Sequence, residues 1–571
     1  MGRPAASPGI DSPRVLFRRR ARASRALSLA FGFWLMAAGG GRCAAQVNVL
    51  TANGSNDRTN ANLQETRLSP VTVTPASFGK VQSLAVDGQV YAQVLYASSV
   101  VFRPHEVHNA AIVCTMHNSV YAFDADPMSG GRLLWRVNLG PSVPSSIDIA
   151  PEIGILSTGV IDLGRGLLYV VAETLQNGGP VFSLHALDLT SGAERQNGPV
   201  IINASAAGAM AGQASAGTIS LDPNQLLQRP GLLLANGSVY IAFGSHADQP
   251  PWHGWIVSYD ASDLSRQTGV FNTTPAGQGG AVWQSGRGLA ADESGNIYAV
   301  SGNGDFDGMQ NFGESFLKLP GSLGAPLDWL TPGVWQDFSE ADVDLSAGPA
   351  LISGTHFLLG ADKAGNLYAA DGDSMGHLGG GSAYSAGGGY IFNFAVWSKS
   401  GGAIVYVQPK GGPLQSYRVL QDQLSFLPLS SRPLDSVSAR VGMTLSANGS
   451  DDASGILWQI TAGSDGSGTL HAFDASDLSR ELWNSGMNPA RDALGAYAKF
   501  VSPTVVNGLV FVPTFSNAVA VYGLLSQAHW GRASSHACDS SAGSTGVSGA
   551  APASDNDRSC VLGSGRDHDL K

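Results

Sequence analysis

Cysteine is scarce in this chain, with four in 571 residues and no two adjacent. No Cys-x-x-Cys or Cys-x-x-Cys-His occurs, which excludes covalent c-type haem and a thiol redox motif. Charge is scarce as well. Only 13% of residues are Asp, Glu, Lys or Arg, and the net charge is −11. Neutralising phosphates needs clustered Lys and Arg, and none follow residue 25, so nucleic acid is excluded as a partner. Gly-x-Ser-x-Gly, a phosphate-binding loop and His-Glu-x-x-His are all missing, so a hydrolase or nucleotide enzyme has no support. A glycosidase needs only two carboxylates on a rim, so motif absence does not bear on it.

Long apolar runs are absent except near the start. Leu27 to Ala38 is about a dozen residues, the length of a signal core and short for a membrane span. Arg18, Arg19, Arg20, Arg22 and Arg25 precede it, and Cys43-Ala44-Ala45 sets small residues before a cut at Gln46. Residues 1–45 therefore read as an export signal, with an uncut anchor as the alternative, and the protein as secreted or periplasmic with no stable membrane span after cleavage. Cys43 leaves with the signal. Cys114 lies in an apolar strand as a core residue, and Cys538 and Cys560 sit where an oxidising compartment would let them pair.

Glycine is abundant, at 73 residues, which with low charge suits a turn-rich all-β chain. One unit recurs: an alternating strand ends in Asp, a turn follows, and a second strand carries a Trp. Its clearest copy is Ser119-Val120-Tyr121-Ala122-Phe123-Asp124, then Arg132-Leu133-Leu134-Trp135. Strand ends recur at Asp188, Asp260, Pro320, Asp371, Arg418, Asp474 and Gly523, a mean spacing of about 57 residues. Upstream of each unit lies a pair of short strands joined by Asn-Gly or Asp-x-x-Gly, the chemistry of hairpin turns. Four strands per unit make one propeller blade. The eighth unit supplies three, and the lone strand 78–86 has the look of its missing fourth. The chain is thus expected to be all-β, an eight-bladed β-propeller of four-stranded blades over 78–525, its ring closed by an N-terminal strand so that no sheet edge stays open. An open two-domain arrangement is the alternative. Residues 46–77 read as an extended lead-in arm, and 526–571, nearly devoid of apolar residues, as a disordered tail. Asp124 and its equivalents are expected to cap turns, and Trp135 to pack between blades.

The units resemble the pyrroloquinoline quinone (PQQ) repeat, best at Ala122-Phe123-Asp124…Leu133-Leu134-Trp135 and Ala472-Phe473-Asp474…Glu481-Leu482-Trp483. The span 47–525 is similar to a group of secreted bacterial proteins named for that repeat, through Gln228-Arg229-Pro230-Gly231, Trp252-His253-Gly254-Trp255 and Arg491-Asp492-Ala493-Leu494-Gly495. Quinoprotein dehydrogenases of this type imply a quinone sandwiched in the ring, Ca²⁺ on its carbonyl, an Asp base and, in the alcohol dehydrogenases, adjacent cysteines. This chain lacks the adjacent cysteines, and its base and metal ligands cannot be assigned by position. The repeat is specific for fold and weak for function. The leading expectation is an exported binding or scaffold module for an unknown small molecule, glycan or protein. The alternative is a PQQ- and Ca-dependent periplasmic oxidoreductase. The inserts 202–230 and 376–390 suggest a protein-interaction platform as a third.

Two constellations are candidate sites. Asn303, Asp305, Asp307 and Glu314 occupy positions 1, 3, 5 and 12 of a loop with Gly308 at 6, the spacing of a Ca²⁺ loop. The commoner reading of so short a match is a polar inter-strand loop. His246, Asp248, Trp252 and His253 share one connection of the third blade, and His117 stands before the strand of the first. Rim loops of a propeller converge on the channel, where ligands bind. The plainer reading is a loop packed by its own Trp residues with its His bonded to backbone.

Overall fold

The computed structural model describes residues 47–525 apart from 104–105, 209–216, 353, 401, 421–422 and 426. The expected export signal and tail lie outside these residues. Eight antiparallel blades form the ring. Blade one runs Leu95–Arg103, Glu106–Cys114, Ser119–Asp124 and Leu133–Asn138, each strand pairing with the next. The first strands of successive blades touch one another and line the channel. The fourth strands face outward, as the half-exposed pattern of Leu133–Asn138 shows. In blade eight, Thr504–Val506, Leu509–Pro513 and Ala518–Leu524 gain Phe78–Ala85 as fourth strand, with Phe78 opposite Leu524 and Ala85 opposite Ala518. The N-terminal strand closes the ring, as the sequence implies.

The apolar core is divided into layers, one between each neighbouring pair of blades. Trp458, Phe78, Val510 and Tyr522, for instance, join blades seven and eight, and Ile112, Ala122, Leu168 and Val170 join one and two. Polar bonds cross the same seams. The Tyr169, Tyr240 and Tyr406 hydroxyls donate to the carbonyls of Ala261, Gly321 and Ala475 in the following blade, at 2.6, 2.7 and 2.7 Å. Trp135 donates its indole N–H to Leu189 at 2.9 Å, between blades one and two. Leu189, Ala261 and Ala475 each come directly after a capping Asp, and Gly321 follows Pro320. The Asp188, Asp260 and Asp474 carboxylates each accept the amide two residues on, at 3.0, 2.8 and 2.9 Å, which pins the turn that presents the acceptor. Asp124 does the same at 3.2 Å and Asp371 at 2.9 Å. Cys114 is a buried free thiol in the core, pushed up to about 12 by burial.

One expectation changes. Residues 376–390 are no free insert. Ser382–Ser385 is the fourth strand of blade five, and His377–Leu378 extends the sheet of blade four. The strand Ser-Ala-Tyr-Ser has one exposed face, Ala383 and Ser385, and one partly buried face, Ser382 and Tyr384, and so lacks the apolar alternation of the other strands.

The lead-in arm is ordered and fills one end of the channel. It visits the inner strands in ring order. Val49 exchanges backbone bonds with Tyr96 of blade one, and Leu50 accepts from Ile161 of blade two. The Thr51 hydroxyl bonds Leu232 at blade three, and Asn56, Asp57, Thr59 and Asn60 accept amides of Ala291, Leu351, Val396 and Leu445 in blades four to seven. Asn62 donates to Val505 of blade eight at 2.9 Å. At its centre Arg58, wholly buried, donates to Leu289, Thr51, Ala52 and Leu232 at 2.7, 2.7, 2.6 and 3.1 Å. Gly288 makes room for it, because a Cβ there would lie 2.5 Å from the guanidinium carbon. Arg287, also buried, forks onto Gly348, Asn393, Phe394 and Arg58. Burial lowers both guanidiniums to about 9, so both stay charged at neutral pH.

Replacing Arg58 strands four acceptors in the plug at once. Arg58→Met is expected to cost about 3–5 kcal/mol, and Arg58→Lys nearly as much because an ammonium cannot fork to four acceptors. Urea unfolding checks this; a loss under about 1 kcal/mol for Arg58→Met would show that the plug does not hold the ring.

Candidate functional site

In an antiparallel blade, the connections between strands two and three and those leading into the next blade emerge on the same face. That face lies opposite the capped turns, and its loops form the channel mouth. The loops entering the blades bring Asp148, Arg229, Trp283, Asp344 and Phe500, and the strand two-to-three loops bring Ser245, Asp248, Asn303 and Lys363. A second cavity lies deeper. Arg229 and Phe500 border both, Lys499 and Tyr91 line the lower one, and Ala52 and Asn53 of the arm floor it.

At the mouth, Trp283 donates its indole N–H to Asp344 at 3.0 Å. Lys363, almost fully buried, bridges Asp344 and Asp342 at 2.7 and 2.8 Å, with its ammonium 5.3 Å from the Trp283 ring centre. Burial alone would lower Lys363, but the two carboxylates hold it above the ordinary lysine range. Burial raises Asp344 in spite of Lys363. Glu314 is raised well above its ordinary value by burial and by Asp344 beside it. Its Oε2 accepts the Leu345 amide at 2.9 Å, while Oε1 is buried without a partner, as is Oδ1 of Asn303. Phe392 and Phe500 stand edge-to-ring against Trp283 at 5.8 and 6.1 Å.

The proposed Ca²⁺ loop does not gather its ligands. Asn303 donates to Asp342 at 3.0 Å, and Asp305 accepts the Gln278 amide at 3.0 Å. Asp307 caps the amides of Met309, Gln310 and Asn311, and Glu314 turns toward blade five. Among the described residues no group of three or more His, Cys, Asp or Glu converges as a metal site. The second constellation separates. Asp248, bonded by the Ser245 hydroxyl, reaches the channel mouth. His246 lies 3.4 Å from the Ile147 carbonyl, and His117 3.1 Å from Glu152, both partners belonging to the segment 143–153 between blades one and two. His253 is buried and bonds the Thr274 carbonyl at 3.1 Å; burial lowers it, keeping it neutral. The Trp252 indole N–H is buried without a partner.

The sequence pattern passed over Asp148, Trp283, Asp344, Lys363, Lys499 and Phe500. Their only common signal is position: each stands in a connection at the face where the blades' first strands begin.

No protein-family model matches the chain, and no curated protein matches it. Solved structures do. A quinohemoprotein alcohol dehydrogenase from Comamonas testosteroni matches with a TM-score of 0.55 and 14% identity over 84% of this chain and 80% of that one. Another from Pseudomonas putida matches with a TM-score of 0.51 and 15% identity over the same shares. A europium-containing methanol dehydrogenase matches with a TM-score of 0.51 and 12% identity over 84% of this chain and 98% of that one. At this identity the likeness shows the fold alone: an eight-bladed propeller like that of quinoprotein dehydrogenases. Among the described residues no helix is long and apolar enough to cross a membrane.

The quinone implied by that resemblance does not fit the mouth as built. The upper cavity measures about 40 Å³, room for a few waters and far below the several hundred Å³ of a site for a tricyclic ligand. A sandwiched ring needs roughly 7 Å between its neighbours. Lys363, Phe392 and Phe500 already stand 5.3 to 6.1 Å from Trp283. The one described cysteine is buried in blade one.

Lys499 carries a measurable signature of this channel. Burial, with Arg229 and Arg440 nearby, lowers it to about 8, against the opposing pull of Asp148. Between about pH 8 and the ordinary lysine value of 10.5 the unfolded chain holds a proton that the folded chain has released, so this residue makes stability rise with pH there. Lys499→Met is expected to flatten that rise. Urea midpoints at about pH 7.5 and pH 10 check it, and equal slopes in both proteins would refute it.

Proposed function

We propose that the chain is a non-catalytic binding module, a PQQ-repeat-like propeller exported to the periplasm or medium, that takes a small polar ligand into the channel mouth. The observation that carries this reading is the walled, mixed-charge mouth itself. Trp283 and Phe500, backed by Phe392, supply apolar edges, the Asp344–Lys363 pair supplies fixed polar groups, and the arm seals the far end. Few convergent polar groups among aromatic side chains is the usual composition of a small-molecule site. Asp248 and Ser245, at its edge, belong to the same mouth. The remaining sequence candidates, His246, Trp252, His253 and His117, would act by holding the loops around it.

The rival is a PQQ- and Ca-dependent oxidoreductase, which the dehydrogenase-like fold favours. The space around Trp283 weighs against it, and a shared propeller fold hosts unrelated functions. One experiment separates them. The purified protein is mixed with PQQ and Ca²⁺, passed through a desalting column and assayed for dye reduction with alcohols. The binding-module reading expects no retained chromophore and no turnover. Retained quinone that reduces dye, lost in Asp344→Asn, would establish the oxidoreductase instead. In parallel, a panel of small organic acids and sugars is titrated against tryptophan fluorescence. A binder is expected to lose about tenfold in affinity on Asp344→Asn, one hydrogen-bonded group's worth.

A further inference from the structure

We infer that the lower chamber of the channel is an anion site, which takes either a free halide ion or the carboxylate end of a small organic acid against Arg229 and Lys499. This deepens the binding-module reading and rests on it only for the carboxylate; the free ion needs no organic ligand.

The first ground is an excess of positive charge. Arg229, Lys499 and Arg440 gather around the Phe500 ring and Asp148. The Arg229 guanidinium carbon lies 4.5 Å and that of Arg440 5.8 Å from the Phe500 ring centre. Lys499 donates to the Asp148 carbonyl at 2.8 Å and lies 3.3 Å from its carboxylate. Arg229 approaches the same carboxylate only to 3.7 Å, beyond hydrogen-bond length. Lys499 and Arg229 thus share one carboxylate, and Arg440 adds a third cation beside the Phe500 ring. Behind them stand Arg58 and Arg287, two more buried guanidiniums whose hydrogen bonds go to carbonyl, amide and hydroxyl oxygens rather than to a carboxylate.

The second ground is an unmet donor. Arg229 is 7% exposed, and its Nη2 is buried without a partner. An unpaired buried charged donor costs several kcal/mol, so folded proteins rarely keep one. Every guanidinium nitrogen of the buried Arg58 and Arg287 has a partner, whereas Nε of Arg440, in the same cluster as Arg229, is a second buried donor without one. Its side chain borders both chambers. Tyr91 lines the lower one, and burial raises its hydroxyl above the ordinary range, so it remains a protonated donor there.

The third ground is size. The lower cavity measures about 20 Å³, enough for one water-sized group. A halide or a single carboxylate head fits that space, and a longer acid would extend toward the upper cavity, with which the chamber shares Arg229 and Phe500 as walls. The anion would supply the second negative charge that Asp148 alone does not.

Chlorine NMR line broadening tests the site with chloride alone as probe. Wild-type protein is expected to broaden the line, with Arg229→Gln reducing the excess width at least about fivefold. The surface change Arg132→Gln is expected to keep it. In a buffer free of halides and small carboxylates Arg229→Gln should melt no lower than wild type, because it removes a buried donor without a partner, and added chloride should raise the melting point of wild type alone. No excess broadening in wild type, or full broadening in Arg229→Gln, would overturn the proposal, as would an equal rise in melting point for both proteins. Should Arg229→Gln fail to fold, Lys499→Gln replaces it with the same expectations. Formate and acetate then identify the source. Displacement of chloride by both assigns the site to a carboxylate head, and displacement by neither assigns it to a free halide.

Discussion

A propeller ring stands or falls on how its inner strands are held at the axis, and here a single segment holds all eight. Between Val49 and Asn62 the chain makes one circuit of the channel and bonds each blade in turn. No other blade supplies a strand to these inner strands on the axis side, so their free amides and carbonyls need partners from elsewhere, and at blade seven the arm itself pairs as a strand, Ala61–Asn62 beside Met443–Ser446. The arm supplies them. Its polar composition, rich in Asn and Thr with Arg58 at the centre, follows from that demand: each side chain can answer a carbonyl or amide that no sheet neighbour reaches. The sequel at Phe78–Ala85 then locks the last blade to the first part of the chain, so plug and closure are consecutive parts of one N-terminal segment.

Outside the axis the blades cohere through repeated seams. Each layer of aliphatic and aromatic side chains is shared by two neighbours, and a tyrosine or tryptophan donor recurs across several of them. The capped Asp turns matter because they fix the carbonyl that receives the donor. This explains why Asp124, Asp188, Asp260, Asp371 and Asp474, conspicuous in the sequence, have no part in the channel mouth. Their role is to shape the opposite face.

Much of this was legible in the sequence, and the reasons are local. Strands ending at Asp124, Asp188 and Asp474 declare themselves by alternation and by the turn that follows, within six or seven residues. The closing strand at Phe78 could be placed because the eighth unit lacked one. Ser382–Ser385 escaped notice because an outer strand with little to bury has little pattern to show. The mouth escaped for a different reason. Asp148, Arg229, Trp283, Asp344 and Phe500 are tens of residues apart, each alone in an ordinary loop, and only ring geometry brings them together. The clusters that did stand out, at His246–His253 and Asn303–Glu314, were dense in sequence but disperse in space, because neighbours on a tight loop point to different partners. The circuit of the arm was equally silent, since hydrogen bonds from Asn and Thr to distant carbonyls leave no periodic trace.

The sealed far end has a consequence for traffic. A channel floored by Ala52, Asn53 and the Arg58 network is a blind well rather than a passage, so a molecule that enters must leave by the way it came. Arrival and departure then share the one mouth, walled by Arg229, Trp283 and Phe500. With cations concentrated at the bottom of a chain whose net charge is negative, the outer surface and the interior pull on an anion in opposite senses. Added salt would act on encounter at the rim far more than on an anion held at the floor, because buried charges are poorly screened.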